Sequence, residues 1–168
     1  MITDVLEMLR AAGRQPTAKN VWWALSMDSF AVVSLTRARE NARRFHVPGV
    51  NRLLRYVQMG IFGIEIGKNV ELGSGVYFIH TLGIIIGGNA KIGDRVRFLG
   101  NNHVGNAKGD GDYPVIEDDV LVGAGARILG KVRIGKGAII GANAVVLSDI
   151  PAGATAVGAP ARAITKRS

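Results

Sequence analysis

Cysteine is absent from the 168 residues. That removes disulfides, thiolate metal ligands and a cysteine nucleophile together, and leaves any chemistry to oxygen and nitrogen groups. Histidine is scarce, at His46, His80 and His103 only. No uninterrupted apolar run approaches the roughly 20 residues that a bilayer-crossing helix needs. The opening MITDVLEMLR carries acids where a signal peptide wants basic residues, so a cytoplasmic protein with no integral membrane segment is the expectation.

Negative charge is also in deficit, with a formal net charge of +8. Arginine gathers early, at Arg37, Arg39, Arg43, Arg44, Arg52 and Arg55. No helix-turn-helix, zinc-finger or aromatic RNA-binding signature accompanies this charge, which argues against nucleic acid. Attraction of anionic ligands is one remaining reading. For most of these arginines the better reading is a solvated or membrane-facing helix surface.

Two segments of different period make up the chain, with the boundary placed between residues 60 and 61. Residues 1–60 read as helices: VLEMLRAA and VWWALSMDSFAVVSLTRARENARRF carry apolar residues at helical spacing, and VPGVNRLLRYVQMGIF opens on a Pro-Gly turn. Trp22 and Trp23 are expected to pack against a neighbouring element. From Ile64 an aliphatic residue followed by a small or polar one recurs every six positions, as in IGKNVE, LGSGVY, IGGNAK, IGDRVR, VGAGAR, IGKGAI and IGANAV.

The aliphatic guide positions are Ile66, Leu72, Phe78, Ile86, Ile92, Phe98, Val104, Ile116, Val122, Ile128, Ile134, Ile140 and Val146. A six-residue period fits neither an α-helix nor a simple strand. It suits a flat run of β-structure plus a corner, with the guide residue pointing inward and small residues permitting the bend. Stacked coils then bury a continuous aliphatic ladder over residues 61–168 and need capped ends, which the helices and the closing PARAITKRS can supply.

Residues 60–164 resemble the left-handed β-helix acyltransferases, and within them the serine acetyltransferase branch. The marks are FIHTLGIIIGGNAKIGD and VLVGAGARILGKVRIGKGAIIGANAVV followed by AVGAPAR. The resemblance implies a mainly β fold, a left-handed parallel β-helix with a short α-helical N-terminal segment. It also implies a homotrimer with active sites at subunit boundaries, and acetyl transfer from acetyl-CoA to a small hydroxyl acceptor without a required metal.

His80 stands where the branch carries its catalytic histidine, and the two-residue insertion after it interrupts the register between Phe78 and Ile86. Attack of a hydroxyl on a thioester gains from a positioned base of near-neutral pKa, which imidazole supplies. The resemblance places an orienting carboxylate fifteen residues upstream, at Glu65. It also maps coenzyme A contacts to Gly105, Ala124, Ala142 and, through a phosphate, Arg162. Small residues at corners are needed without any ligand too, and a solvated arginine is an ordinary feature.

His103 is either an acceptor contact or a turn residue, and His46 is structural. The loop GNAKGDGDYPV leaves the repeat and is a natural recognition element. Here the chain departs from the branch. Serine acetyltransferases carry an Arg-His pair before the proline of this loop, and this chain has Asp112 and Tyr113 before Pro114. An aspartate repels the carboxylate that an arginine attracts. The branch's long helical N-terminal domain is shortened, and the chain ends Arg167 and Ser168 instead of in the tail that docks to cysteine synthase. A sugar hydroxyl or natural-product intermediate is therefore the rival acceptor.

Two other classes use the same coil. A γ-type carbonic anhydrase needs three histidines, and the repeat holds only His80 and His103. An ice-binding scaffold needs ranks of threonine, and only Thr81 and Thr155 fall in the repeats. A non-catalytic scaffold remains as the alternative outside enzymes.

Overall fold

The computed structural model describes residues 2–107 and 111–164. Lys108, Gly109 and Asp110 of the excursion loop, and the terminal Arg167 and Ser168, lie outside the described residues. Four helices come first, α1 (Ile2–Ala11), α2 (Ala18–Leu25), α3 (Asp28–Arg44) and α4 (Val50–Phe62). The long apolar-periodic stretch read above as one helical run is broken at Ser26. Its hydroxyl turns back to the Trp23 carbonyl at 2.8 Å, and its N–H bonds the carbonyls ending α2. Thr17 opens α2 by accepting the Asn20 N–H, the ordinary way a hydroxyl satisfies an orphan donor.

After α4 the chain turns through Gly63 into a parallel β-helix whose strands of two to four residues form three walls. The first wall stacks Ile64–Ile66, Ile84–Ile86, His103–Gly105, Arg127–Leu129 and Val145–Val146. The second stacks Glu71–Leu72, Lys91–Ile92, Val115–Ile116 and Arg133–Ile134. The third stacks Tyr77–Phe78, Arg97–Phe98, Leu121–Val122, Ile139–Ile140 and Thr155–Gly158, with Ala161–Ile164 added antiparallel at its edge. Of the closing PARAITKRS, the described Ala161–Ile164 thus closes the far end by pairing along a wall.

Register follows the hexapeptide phase. Ile66, Ile86, Val104, Ile128 and Val146 lie one above another on the first wall. Every guide position named above is buried, and Phe78 and Phe98 stack inside the prism with centroids 5.5 Å apart. Fully burying such a side chain is worth about 1.5–3 kcal/mol, so the ladder dominates the stability of the coils.

The first coil has no coil before it, so its outward-facing backbone groups need partners from elsewhere. Helix α3 supplies them. The Ser29 hydroxyl accepts the Phe78 N–H at 2.9 Å; Arg37 donates to the carbonyls of Leu72 (2.6 Å) and Gly73 (2.8 Å); Arg39 donates to the Ile66 carbonyl (2.9 Å). Val32 and Val33 from the same helix join the aliphatic core. Arg39 corrects the reading of these arginines as a solvated surface: it is 2% exposed, held by Asn51 and the buried Gln58. Burial, with Arg43 and Arg55 nearby, pulls its guanidinium down to about 10, still well above neutral pH.

Helices α1 and α2 lie instead on the third wall, through Val5, Met8, Leu9, Ala24 and Tyr77. Gly75 marks the contact: its φ is +67°, and a Cβ there would meet the backbone of Glu7 in α1. Trp23 packs edge-on against Tyr77 at 6.2 Å, as expected, whereas Trp22 is 75% exposed. The two residues are adjacent on a helix, so only one of them faces the wall. Among the described residues no helix is long and apolar enough to cross a membrane.

Candidate active site

His80 sits on the corner where the chain passes from the third wall (Tyr77–Phe78) to the first (Ile84–Ile86). The two extra residues of this coil are spent there, and the imidazole is exposed. Beneath it the next coil has Gly100, where a Cβ would come within 3.0 Å of the His80 Cβ. His80 lines a cleft of about 290 Å³ whose other side is the start of α3, with Asp28 and Ser29. The Phe78–Ser29 hydrogen bond fixes that helix end to the strand that leads into His80. Asp28 was not singled out from the sequence. In the sequence it falls inside the single helical run VWWALSMDSFAVVSLTRARENARRF, and only the break at Ser26 makes it the first residue of α3.

The α3 N-terminus itself has no side-chain cap. The cleft therefore offers a carboxylate and the positive end of a helix side by side, which suits a ligand bearing charges of both signs.

The corner that carries His80 continues along the coils as a column. The Asn101 N–H donates to the Leu82 carbonyl (2.9 Å), Gly125 to Gly100 (3.0 Å), and Asn143 to Ala124 (2.8 Å). Ala124 and Ala142 are thus stacked on the same corner as His80, and both are exposed. Arg162 joins this end of the column: it pairs with Val157, whose side chain lies against Gly141.

The remaining site residues gather on a different corner, between the first and second walls. A Cβ on Gly105 would stand 3.1 Å from Nε2 of His103, so the His103 ring lies beside Gly105. The Gly130 N–H bonds the Gly105 carbonyl at 2.9 Å. Next to Gly130, Lys131 pairs with Asp112 at 3.7 Å. The Tyr113 ring fills the space over Gly88, where φ is +57° and a Cβ would overlap the ring. Tyr113 also packs against the core.

Glu65 occupies the first wall between these corners, in rank with Ile85, His103, Arg127 and Val145. Its carboxylate is engaged by Arg55 of α4, and no hydrogen bond joins it to His80 among the described residues. His46 follows α3 with φ +54°, exposed and remote in sequence from both corners. No group of three histidine, aspartate or glutamate side chains suited to a metal occurs among the described residues. The candidate residues therefore fall into two groups on one chain: His80, Asp28, Ala124, Ala142 and Arg162 at one corner, and His103, Gly105, Asp112 and Tyr113 at another.

Residues 113–148 match the model of the bacterial transferase hexapeptide (six repeats), and residues 63–94 that of the hexapeptide repeat of succinyl-transferase. The serine acetyltransferase of Helicobacter pylori (strain J99) is 39% identical over 163 residues, 94% of each chain. That of Synechococcus elongatus is 34% identical over 90% of this chain and 63% of its own. Among solved structures, soybean serine acetyltransferase complexed with serine superposes with a TM-score of 0.85 at 33% identity, over 96% of this chain and 68% of that one. The Brucella abortus serine acetyltransferase in complex with coenzyme A gives 0.86 at 28%, over 96% and 66%. The Helicobacter match spans nearly the whole of both proteins, so the shortened N-terminal segment is no departure from that relative.

Proposed function

The chain belongs to the serine acetyltransferase family, an acetyl-CoA-dependent O-acetyltransferase with a β-helix of hexapeptide repeats, and from that premise we propose that it acetylates a small hydroxyl acceptor, serine first, at a site assembled from two chains. The observation that carries this reading is the separation of the two residue groups, each of which we read as half of one site. A cyclic homotrimer sets a different patch of each chain against its neighbour, so the His80 corner of one protomer faces the Gly105 corner of the next. Acetyl-CoA then lies in the groove between them, its pantetheine arm along Ala124 and Ala142 and a phosphate near Arg162.

His80 takes the acceptor proton as the oxygen attacks the thioester carbonyl, and returns it to the departing CoA thiolate. Backbone N–H groups at the corner steady the oxyanion. Asp28 receives the ammonium of an amino-acid acceptor and the uncapped end of α3 its carboxylate. This offsets the loss of an arginine where the excursion loop has Asp112. Glu65 acts on His80 only across the protomer boundary or by releasing Arg55. The reading places the enzyme in the cytoplasm, beside its cosubstrate.

The test is His80→Ala. Turnover, followed as free CoA released with serine as acceptor, falls by about 10²–10⁴, while CoA binding measured by calorimetry is retained. Undiminished turnover overturns the assignment. Asp112 and Tyr113 favour a second reading, a sugar or natural-product hydroxyl. Serine failing as acceptor while a sugar alcohol supports turnover that His80→Ala abolishes would select it.

A further inference from the structure

A second cleft, of about 520 Å³, opens between the end of α1 and the third wall, and Ile79 lines both it and the His80 cleft. Four guanidiniums converge on it, from Arg10, Arg14, Arg95 and Arg97, with Trp23 and Asp119 beside them. Two are neutralised. Arg95 is clamped by Asp119 at 2.6 and 3.0 Å and by Glu7 at 3.0 Å, and Arg10 pairs with the same Glu7. The other two are not. Arg14 lies over the Trp23 ring, 4.1 Å from its centroid, and donates to the neutral Asn20 at 3.3 Å. Arg97 makes no hydrogen bond or ion pair among the described residues, and acts only through space on Asp119, which Arg95 already clamps.

Four cations against two carboxylates leave a surplus of two positive charges in a concave surface. A single solvated arginine needs no partner, because water serves it well. Convergence in a cleft is different, since concave walls focus the field and the clamped Arg95 is already immobilised in place. Planar guanidiniums match phosphate oxygens in pairs.

We propose that this cleft is a second anion site, separate from the coenzyme groove, that binds a small molecule carrying a diphosphate group through Arg14 and Arg97. On the proposed path of coenzyme A along Ala124 and Ala142, which lies on another part of the prism, the two ligands do not compete. The inference does not depend on which acceptor is acetylated.

Inorganic pyrophosphate is the probe. In a Trp22→Phe background Trp23 is the sole tryptophan, and its fluorescence reports the cleft directly, with calorimetry as a second readout. Titration in the presence of saturating CoA gives a saturable change. Arg97→Ala and Arg14→Ala each weaken binding by about tenfold or more, as loss of a charge-assisted hydrogen bond does. Arg133→Ala, on the second wall, leaves it unaltered. Absence of saturable binding, abolition of binding by CoA, or equal affinity in a folded Arg97→Ala protein would each overturn the proposal.

Discussion

The coils and the helices that cap them are stabilised in opposite ways. In the coils the buried side chains are almost all aliphatic, and among the described residues only Thr81 and Asn102 are buried polar groups. In the helices Asp4, Ser29, Thr36, Arg39 and Gln58 are all buried and polar. A repeating coil satisfies its backbone through the next coil, so its side chains are free to be apolar. The first coil lacks that neighbour, and side chains must stand in for a missing strand. The difference teaches that the end of a solenoid is a hydrogen-bonding problem before it is a hydrophobic one.

That contrast can be broken by substitution on either side of it. The largest effect belongs to the coils: Ile128→Ala, fully buried at mid-stack, loses about 2–5 kcal/mol in chemical denaturation. Arg39→Met keeps most of the volume but strands the Ile66 carbonyl and its side-chain partners. A loss of about 1–3 kcal/mol follows, typical of buried groups left unsatisfied. If Arg39→Met is as stable as the parent, the capping account of the helices fails.

The smallest effect is at Asp4. Burial opposes its ionised form, but Arg37 and the Gly75 N–H outweigh that and hold the carboxyl below its ordinary value. A depressed carboxyl stabilises the fold above its unfolded pKa, about 3.9, and that contribution fades as the pH falls through the lower folded value. Asp4→Asn is therefore less stable than the parent at pH 7, by about 1 kcal/mol, and the gap closes toward pH 2. A gap that widens in acid contradicts the assignment.

Legibility in the sequence followed the same divide. The guide residues from Ile66 to Val146 were readable because one six-residue period governs them all. Arg39 was not, because a buried arginine and a solvated one look alike until the orphan carbonyl beneath it is known. Asp28 carried no mark, because the break at Ser26 that puts it at a helix start lay hidden in one helical run, and Trp22 could not be told from Trp23 before one face of α2 met the wall. The corner on which His80 stands was legible from the two inserted residues that interrupt the register there. That His80 and Gly105 stand on different corners was not, since the inserted residues after His80 and the excursion loop after Gly105 interrupt the count that would assign each to a corner.

Subunit complementation decides whether the two corners belong to one site shared between chains. His80→Ala disables one corner and Gly105→Leu, which displaces the adjacent His103 ring, blocks the other. Each variant alone is inactive. In the proposed homotrimer, co-expression in equal amounts gives mixed assemblies in which one boundary keeps both intact corners, and about a quarter of parental turnover returns on statistical assembly. Mixed trimers as inactive as the separate variants would show that the site lies within a single chain.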